Sequence, residues 1–220
     1  MNRKERLVKL KAIDIYPVTC QKLSEGRTNL EVLAAVLAGG AKIIQLREKH
    51  WDKKDLYELT IEFRKRTLSH DALLIINDHV DVALAAGADG VHLGQEDLPI
   101  GAARKIAPEL IIGASSHNLS EALKDEEDGA DYVNIGPIFP TKTKANTVSF
   151  LGPEAIGEIG SQLTVPFTTM GGINSDNIDR VLEAGASRVA MVTGITRAAD
   201  ITERVRRLRK TVTDYHDSSH

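Results

Sequence analysis

The amino-acid sequence predicts an α/β fold, a single-domain (β/α)8 TIM barrel. Eight short apolar runs alternate with longer amphipathic segments along the 220 residues. Nearly continuous apolar runs are typical of parallel strands that helices bury on both faces. Eight such units in this length fit a compact barrel. An open doubly wound sheet would need a Gly-rich dinucleotide-binding turn early in the chain, and the sequence has none.

Each predicted element follows from the spacing of its apolar residues. Consecutive apolar residues predict strands at Ile13–Thr19, Ala41–Leu46, Leu73–Asn77, Gly90–Leu93, Leu110–Ala114, Tyr132–Gly136, Val165–Met170 and Arg188–Val192. Apolar residues at three- and four-residue spacing, such as Leu30, Leu33 and Leu37, indicate helices. These are Asn29–Ala38, Asp52–Leu68, Val80–Ala86, Ala102–Ile106, Leu119–Asp128, Gly152–Ser161, Asp176–Ala184 and Ile201–Val212. Glycines near several helix ends supply the caps that precede the next strand.

Composition limits the class of protein and its partners. The hydrophobic content of 42% allows one large core, which we assign to residues 13–212. Residues 1–12 would form an extension or short helix, and residues 213–220 a disordered tail. The net charge of −3 excludes the basic excess of nucleic-acid or membrane-surface proteins, and no apolar run is long enough to span a membrane. A single cysteine, Cys20, fits a reducing compartment, so we expect a cytoplasmic protein, compatible with a homo-oligomer.

Polar side chains and glycine turns follow the predicted strands at the ends where barrels form their active sites. Strand by strand they are Gln45, Arg47 and Lys49; Asn77 and Asp78; His92 with Gln95-Glu96-Asp97; Ser115, Ser116 and His117; Thr141 to Lys144; Gly171-Gly172; and Thr193-Gly194. We therefore expect one site that contains cations, carboxylates, hydroxyls and glycine turns.

The end of the second predicted strand carries two cations. Because side chains alternate along a strand, Gln45, Arg47 and Lys49 point one way, toward the barrel mouth. Glu48 then faces the helical layer. Cations that face a cavity need an anionic partner. A phosphate or diphosphate ligand would supply it, and the alternative is an internal ion pair with a carboxylate of the same site.

Asp78 and Asp97 are the candidate ligands for Mg²⁺. Mg²⁺ commonly takes one or two carboxylates and completes its shell with waters and substrate phosphates. Asp78 ends a strand and precedes a helix, so a helix N-cap is the alternative role for it. The cysteine and histidines of the chain show no zinc-ligand spacing.

The segment Gly136-Pro-Ile-Phe-Pro-Thr-Lys-Thr-Lys144 directly follows a predicted strand. Its hydroxyls, ammonium groups and free backbone N–H groups suit phosphate oxygens, and a solvated basic turn is the alternative. Gly171-Gly172 and Thr193-Gly194 follow the last two strands, where barrels usually bind phosphate.

Together these motifs resemble the thiamine phosphate synthase family, in the family's order, from about Ile15 to about Ala198. The motifs are Gln45-Leu-Arg-Glu-Lys49, Ile76-Asn-Asp78, Gly90-Val-His-Leu-Gly-Gln-Glu-Asp97, Gly113-Ala-Ser-Ser-His117, Gly136 to Lys144 and Gly171-Gly-Ile-Asn174. The resemblance implies an Mg²⁺-dependent transferase of thiamine biosynthesis. Such an enzyme joins 4-amino-5-hydroxymethyl-2-methylpyrimidine diphosphate to 4-methyl-5-(2-phosphoethyl)thiazole and releases diphosphate.

The resemblance also implies roles for individual residues. The pyrimidine diphosphate would be bound by Gln45, Arg47, Lys49, Asn77, Ser115 and Lys144, of which Arg47, Ser115 and Lys144 would be catalytic. Asp78 and Asp97 would hold Mg²⁺. The thiazole phosphate would be bound by Thr141, Thr143, Gly172, Val192 and Thr193. The chain departs from the family's usual residues at Thr193, at Thr168-Thr169-Met170 and at Thr19-Cys20.

Two alternatives stay open at the level of sequence. One is a thiazole tautomerase-like paralogue, against which the residues from Thr141 to Lys144 argue. The other is a non-catalytic phosphate-binding barrel, against which the presence of Asp78, Asp97 and Lys144 argues.

Overall fold

The computed structural model describes residues 1–141 and 150–218, and it confirms the predicted barrel. The strands are β1 (Ile15–Pro17), β2 (Ile43–Leu46), β3 (Leu73–Asn77), β4 (Gly90–Leu93), β5 (Ile111–Ser116), β6 (Tyr132–Ile135), β7 (Phe167–Thr169) and β8 (Val189–Met191). They form one eight-stranded sheet in the order β1-β8-β7-β6-β5-β4-β3-β2, with parallel pairing throughout. A parallel bridge between Val18 and Gln45 closes the sheet into a barrel.

Helices follow the strands around the outside of the barrel. In the described ranges they are α1 (Arg3–Lys11), α2 (Asn29–Ala38), α3 (Lys53–Ser69), α4 (Val80–Ala85), α5 (Ile100–Ile106), α6 (Leu119–Glu127), α7 (Glu154–Gly160), α8 (Ile178–Glu183), α9 (Thr193–Thr196) and α10 (Ile201–Ser218), with a 3₁₀ turn at Gln21–Leu23. None of these helices combines the length and apolar character needed to cross a membrane.

The N-terminus forms the short helix that the sequence analysis offered as one option, and the C-terminal helix is longer than predicted. At the N-terminus, Asn2 and Glu5 form a reciprocal capping box that starts α1, and Leu10 of this helix is fully buried in the barrel interior. At the C-terminus, α10 continues to Ser218, so the predicted disordered tail is wrong for residues 213–218. An ion pair between Lys210 and Asp214, one turn apart, supports this extension.

The core has two parts, one inside the barrel and one between the sheet and the helices. The inner cluster contains Leu10, Ile13, Tyr16, Ile43, Leu73, Ile75, Ile111, Tyr132 and Ala190. Alternation along β2 separates the two parts, because Ile43 belongs to the inner cluster whereas Ile44 and Leu46 belong to the outer one. The same alternation turns Gln45 toward the barrel axis.

Buried carboxylates fasten the N-terminal end of the barrel. Asp89 is fully buried just before β4, where its Oδ2 accepts hydrogen bonds from Arg64 Nη1 at 2.7 Å and from the backbone N–H of Leu74 at 3.0 Å. Its Oδ1 accepts a bond from Arg6 Nε of α1 at 3.2 Å. Asp131, just before β6, is bonded in the same manner. These pairs lie opposite the strand ends that carry the polar residues, so they serve stability rather than the site.

Candidate active site

A cavity of about 260 Å³ opens at the carboxyl ends of the strands. Among the polar residues and glycines expected at the strand ends, Gln95, Glu96, Ser116 and Gly194 do not line it. Within the described ranges, every residue that the sequence analysis assigned to a substrate or to Mg²⁺ does line it. These residues are Gln45, Arg47, Lys49, Asn77, Asp78, Asp97, Ser115, Thr141, Gly172, Val192 and Thr193. The predicted residues Thr143 and Lys144 lie outside the described residues. The chain enters that segment at Thr141 and leaves it at Phe150, and both of these residues border the cavity.

The end of β2 supplies cations on one face and a structural carboxylate on the other. Arg47 and Lys49 line the cavity, as the alternation predicted. Glu48 is buried on the opposite face, where it accepts hydrogen bonds from the backbone N–H of Gln21 at 2.6 Å and from Asn29 Nδ2 at 2.8 Å. The bonds of Glu48 fix the strand end and thereby the direction of the cations on either side of it.

The carboxylates of Asp78 and Asp97 lie next to each other at the ends of β3 and β4. Burial, and then a hydrogen bond and charge from Asp97, raise the pKa of Asp78, while Lys49 acts in the opposite direction. Lys49 Nζ lies 3.3 Å from Asp78 Oδ2. For this lysine, the internal ion pair that was the alternative to an anionic ligand is therefore present. Asp97 Oδ2 also accepts a bond from the Gly94 N–H at 2.7 Å.

This carboxylate pair fits a hard divalent cation. Asp78 adopts a left-handed backbone conformation, with φ of +63°, which L-residues other than Asn and Asp rarely take. It does not cap the next helix, because His79 is the N-cap of α4 and makes no side-chain capping bond. Within the described ranges, no cluster of three or more His, Cys, Asp or Glu residues could hold a metal. Two carboxylates suit Mg²⁺, which takes its other ligands from water and phosphate.

Ser115 is held at the cavity by a buried hydrogen-bond chain that the sequence analysis missed. His92 Nε2 lies 2.8 Å from Ser115 Oγ, and His92 Nδ1 lies 3.0 Å from the Tyr132 hydroxyl. That hydroxyl lies 2.9 Å from the hydroxyl of Tyr16, which accepts a bond from Gln45 Nε2 at 3.0 Å. The inward position of both tyrosines follows from strand alternation, but sequence could not reveal their contact.

The neighbouring Ser116 has a different role. Its hydroxyl donates to Asp125 Oδ2 of α6 at 2.7 Å, on the side of β5 that faces the helices. Gln95 Nε2 donates to the same carboxylate oxygen and to the backbone carbonyl of Ser115, each at 2.8 Å. Of the two serines, Ser115 is therefore the one that the cavity exposes to a ligand.

The glycine turn after β7 lets the loop after β6 pack closely. A Cβ on Gly171 would lie 2.5 Å from Pro137 Cα, and one on Gly172 would lie 2.7 Å from the Pro140 carbonyl oxygen. Both glycines have positive φ angles, of +108° and +66°. The two loops therefore form a single wall of the cavity, and Thr141 extends this wall.

A second, more open depression of about 540 Å³ adjoins this wall and shares Thr141, Gly172 and Thr193 with the cavity. It also includes Arg197 and Arg204, which the sequence analysis did not select. Arg204 lies at the start of α10.

At the departure from the family pattern on β7, Thr168 Oγ1 donates to Asn134 Oδ1 at 2.8 Å inside the barrel. The hydroxyl of Thr168 therefore has a partner on β6, whereas the buried hydroxyl of Thr169 has none among the described residues.

The fold and the site define a (β/α)8 barrel whose mouth gathers cations, a carboxylate pair and glycine turns suited to phosphorylated ligands. The sequence model of the thiamine monophosphate synthase family matches residues 15–195. This chain belongs to that family, whose members are transferases.

Relatives over nearly the full length agree with this assignment. The chain is 42% identical over 219 residues to a thiamine-phosphate synthase of Caldicellulosiruptor saccharolyticus, with 99% of each chain covered. It is 44% identical over 201 residues to that of Moorella thermoacetica, covering 91% of this chain and 96% of the relative. The structure of thiamine phosphate pyrophosphorylase from Pyrococcus furiosus superposes with a TM-score of 0.87 at 38% identity, covering 94% of this chain and 98% of that one.

Proposed function

We propose that this chain is a Mg²⁺-dependent thiamine-phosphate synthase that acts in the cytoplasm. It would join 4-amino-5-hydroxymethyl-2-methylpyrimidine diphosphate to 4-methyl-5-(2-phosphoethyl)thiazole and release diphosphate. The observation that carries the proposal is that one cavity collects every described residue assigned to the two substrates and the metal. Family membership supplies the substrate class.

The reaction needs charge stabilisation more than a nucleophile from the protein. The methylene–oxygen bond of the pyrimidine diphosphate breaks, and its electron pair leaves with the diphosphate. The aminopyrimidine stabilises the resulting cation, and the thiazole nitrogen then forms the new carbon–nitrogen bond. Preorganised cations that meet the leaving oxygens lower the barrier to such a step.

The residues on β2 to β5 would serve the pyrimidine diphosphate. Arg47 and Lys49 line the cavity and would neutralise diphosphate oxygens there. Gln45, Asn77 and Ser115 offer amide and hydroxyl groups that can orient the aminopyrimidine ring. Lys144 joins this set by its position in the family motif.

Asp78 and Asp97 would hold Mg²⁺ beside these groups. When bound, the ion would neutralise charge on the departing diphosphate. The raised pKa of Asp78 beside Asp97 supports this role, because a like-charged pair gains most from a shared cation. Lys49 already pairs with Asp78 and would turn to the diphosphate when the substrate enters.

The loops after β6, β7 and β8 would bind the thiazole phosphate. Thr141 and Thr193 line this part of the cavity and would offer hydroxyls, and Gly172 would offer its backbone N–H to the phosphate. Val192 would supply an apolar contact. Thr143 completes this set by its position in the family motif.

A thermal-shift titration tests the proposal. The pyrimidine diphosphate should raise the Tm of the protein in a Mg²⁺-dependent way, because a ligand stabilises only the state that it binds. The thiazole phosphate should raise the Tm without Mg²⁺. The matched control is Asp97→Asn, which should lose the first shift and keep the second. If neither substrate shifts the Tm, or if a phosphosugar shifts it more, the proposed function is wrong.

A further inference from the structure

The buried hydrogen-bond chain from Gln45 through Tyr16, Tyr132 and His92 to Ser115 connects two residues that line the cavity. Its ends, Gln45 and Ser115, line the cavity, as does His92. Tyr16 and Tyr132 do not line it, and each is at most 1% exposed. The two tyrosines therefore connect side chains that can contact the substrate, although neither tyrosine can contact it directly.

The donor at one end favours one direction for the bonds of this chain, because each buried hydroxyl has a single proton to donate. The amide nitrogen of Gln45 can only donate, so the Tyr16 hydroxyl accepts this bond and directs its single proton to Tyr132. Tyr132 in turn directs its proton to His92 Nδ1. In this direction His92 would carry its own proton on Nε2 and donate it to Ser115 Oγ, which lies 2.8 Å away. The proton of Ser115 is thereby directed away from His92, into the cavity.

Packing holds the tyrosines in this arrangement. A Cβ on Gly113 would lie 2.1 Å from Tyr132 Cζ, so only glycine leaves room for the ring there. The His92 ring stacks on Tyr132 with centroids 5.6 Å apart, and the Tyr16 ring meets it edge-on at 6.1 Å. Burial also raises the pKa of both phenols, so both keep the proton that the chain requires.

We propose that Tyr132, with Tyr16, is a positioning residue that sets the tautomer of His92 and through it makes Ser115 a hydrogen-bond donor to the pyrimidine substrate. The identity of this substrate rests on the proposed function, whereas the direction of the chain does not. An aminopyrimidine offers ring nitrogens that accept and an amino group that donates. Ser115 Oγ–H as donor and Gln45 Oε1 as acceptor match that pattern. A 4-oxo analogue presents a ring N–H and a carbonyl oxygen, which reverse it.

The tautomer of His92 can be measured without any substrate. In ¹⁵N-histidine-labelled protein, the resonances of His92 are assigned among the seven histidines by their loss in His92→Asn. The wild-type spectrum should show His92 protonated on Nε2 with Nδ1 unprotonated. Tyr132→Phe keeps the ring and removes the donor, so a measurable Nδ1–H population should appear. Tyr57→Phe, at a partly exposed tyrosine on α3, is the matched control and should leave the spectrum unchanged.

Kinetics then test whether the tautomer acts through Ser115. Tyr132→Phe should lower kcat/KM for the pyrimidine diphosphate about tenfold while the KM for the thiazole phosphate stays within about twofold. In a Ser115→Ala background the same substitution should cost less than about twofold, because residues that act as a unit are not additive. The wild-type preference for the 4-amino substrate over its 4-oxo analogue should shrink in Tyr132→Phe.

The outcomes separate this proposal from the proposed function. A wild-type His92 protonated on Nδ1, an unchanged spectrum in Tyr132→Phe, or additive losses with Ser115→Ala would each overturn the positioning role. The wild-type spectrum decides the direction of the chain even where a variant fails to fold. An absence of wild-type synthase turnover would instead refute the proposed function and leave the tautomer result standing.

Discussion

Replacing Asp89 with alanine is expected to lower stability and leave catalysis unchanged. The substitution removes a fully buried carboxylate together with its bonds to Arg64, Arg6 and the Leu74 N–H. The side chains of Arg6 and Arg64 are only 11% and 17% exposed, so their charges would lose this partner with little access to water. Removing one partner of a buried ion pair costs about 3–5 kcal/mol. In a chain of this size that corresponds to a Tm lower by roughly 6–20 °C.

The measurement is thermal unfolding followed by circular dichroism, with kcat/KM recorded well below the Tm. Arg6 keeps its bond to the Glu109 carbonyl oxygen, which places the expected loss in the lower half of that range. The control is Asp71→Asn, which removes the charge of a solvent-exposed partner of Lys9 at a left-handed backbone position that Asn also tolerates, and it should leave the Tm unchanged. A Tm loss for Asp89→Ala below about 3 °C would refute the reasoning. So would a large fall in kcat/KM of the folded variant.

Further variants address the site and its support. Asp97→Asn should raise the Mg²⁺ concentration needed for half-maximal turnover without lowering the Tm, and full activity at limiting Mg²⁺ would contradict the metal assignment. Arg47→Lys should lose activity because lysine cannot reproduce a bidentate contact with diphosphate; a fully active variant would reduce Arg47 to a structural cation. Lys144→Ala should mainly lower kcat, because it removes about 2–4 kcal/mol of transition-state stabilisation. Thr141→Ala should mainly raise the KM for the thiazole phosphate. Steady-state kinetics with one substrate varied at a time separate these two, and effects confined to the pyrimidine side would overturn their placement. Asp125→Asn should raise the Tm near neutral pH, and this gain should shrink toward about pH 4. Burial raises the pKa of the Asp125 carboxyl in the folded protein. The charged carboxylate therefore destabilises the folded state above the folded-state pKa, and this cost disappears below the unfolded-state pKa. A Tm difference that does not change with pH would show that the charge of the Asp125 carboxylate is not the cause.

Local sequence patterns were sufficient for the barrel and for most of its mouth. Strand alternation placed Gln45 and Arg47 in the cavity and Glu48 against α2, as the structure shows. The carboxyl ends of parallel strands meet at one end of a barrel, so residues that follow different strands could be assigned to one site before their distances were known. These predictions succeeded because each depends on a periodicity within a few residues.

The residues that sequence missed depend on contacts between distant parts of the chain. Tyr16 and Tyr132 are 116 positions apart, and nothing in the segment around either one shows that their hydroxyls meet. Arg204 reaches the second depression, beside Arg197, because α10 packs against α9 and the Arg204 guanidinium donates to the Gly194 carbonyl oxygen. The extra length of α10 was missed for a different reason, since polar residues that pair one turn apart look the same in a solvated helix and in a frayed tail.

The most direct test of the central claim is mass-spectrometric detection of thiamine phosphate, with a parallel assay of released diphosphate. The purified protein is supplied with the two synthetic substrates and Mg²⁺. We predict both products in equal amounts, their loss when either substrate or Mg²⁺ is omitted, and a large reduction in Asp78→Asn. A chain that binds both substrates but forms no thiamine phosphate, or that releases diphosphate at the same rate without the thiazole phosphate, would contradict the account.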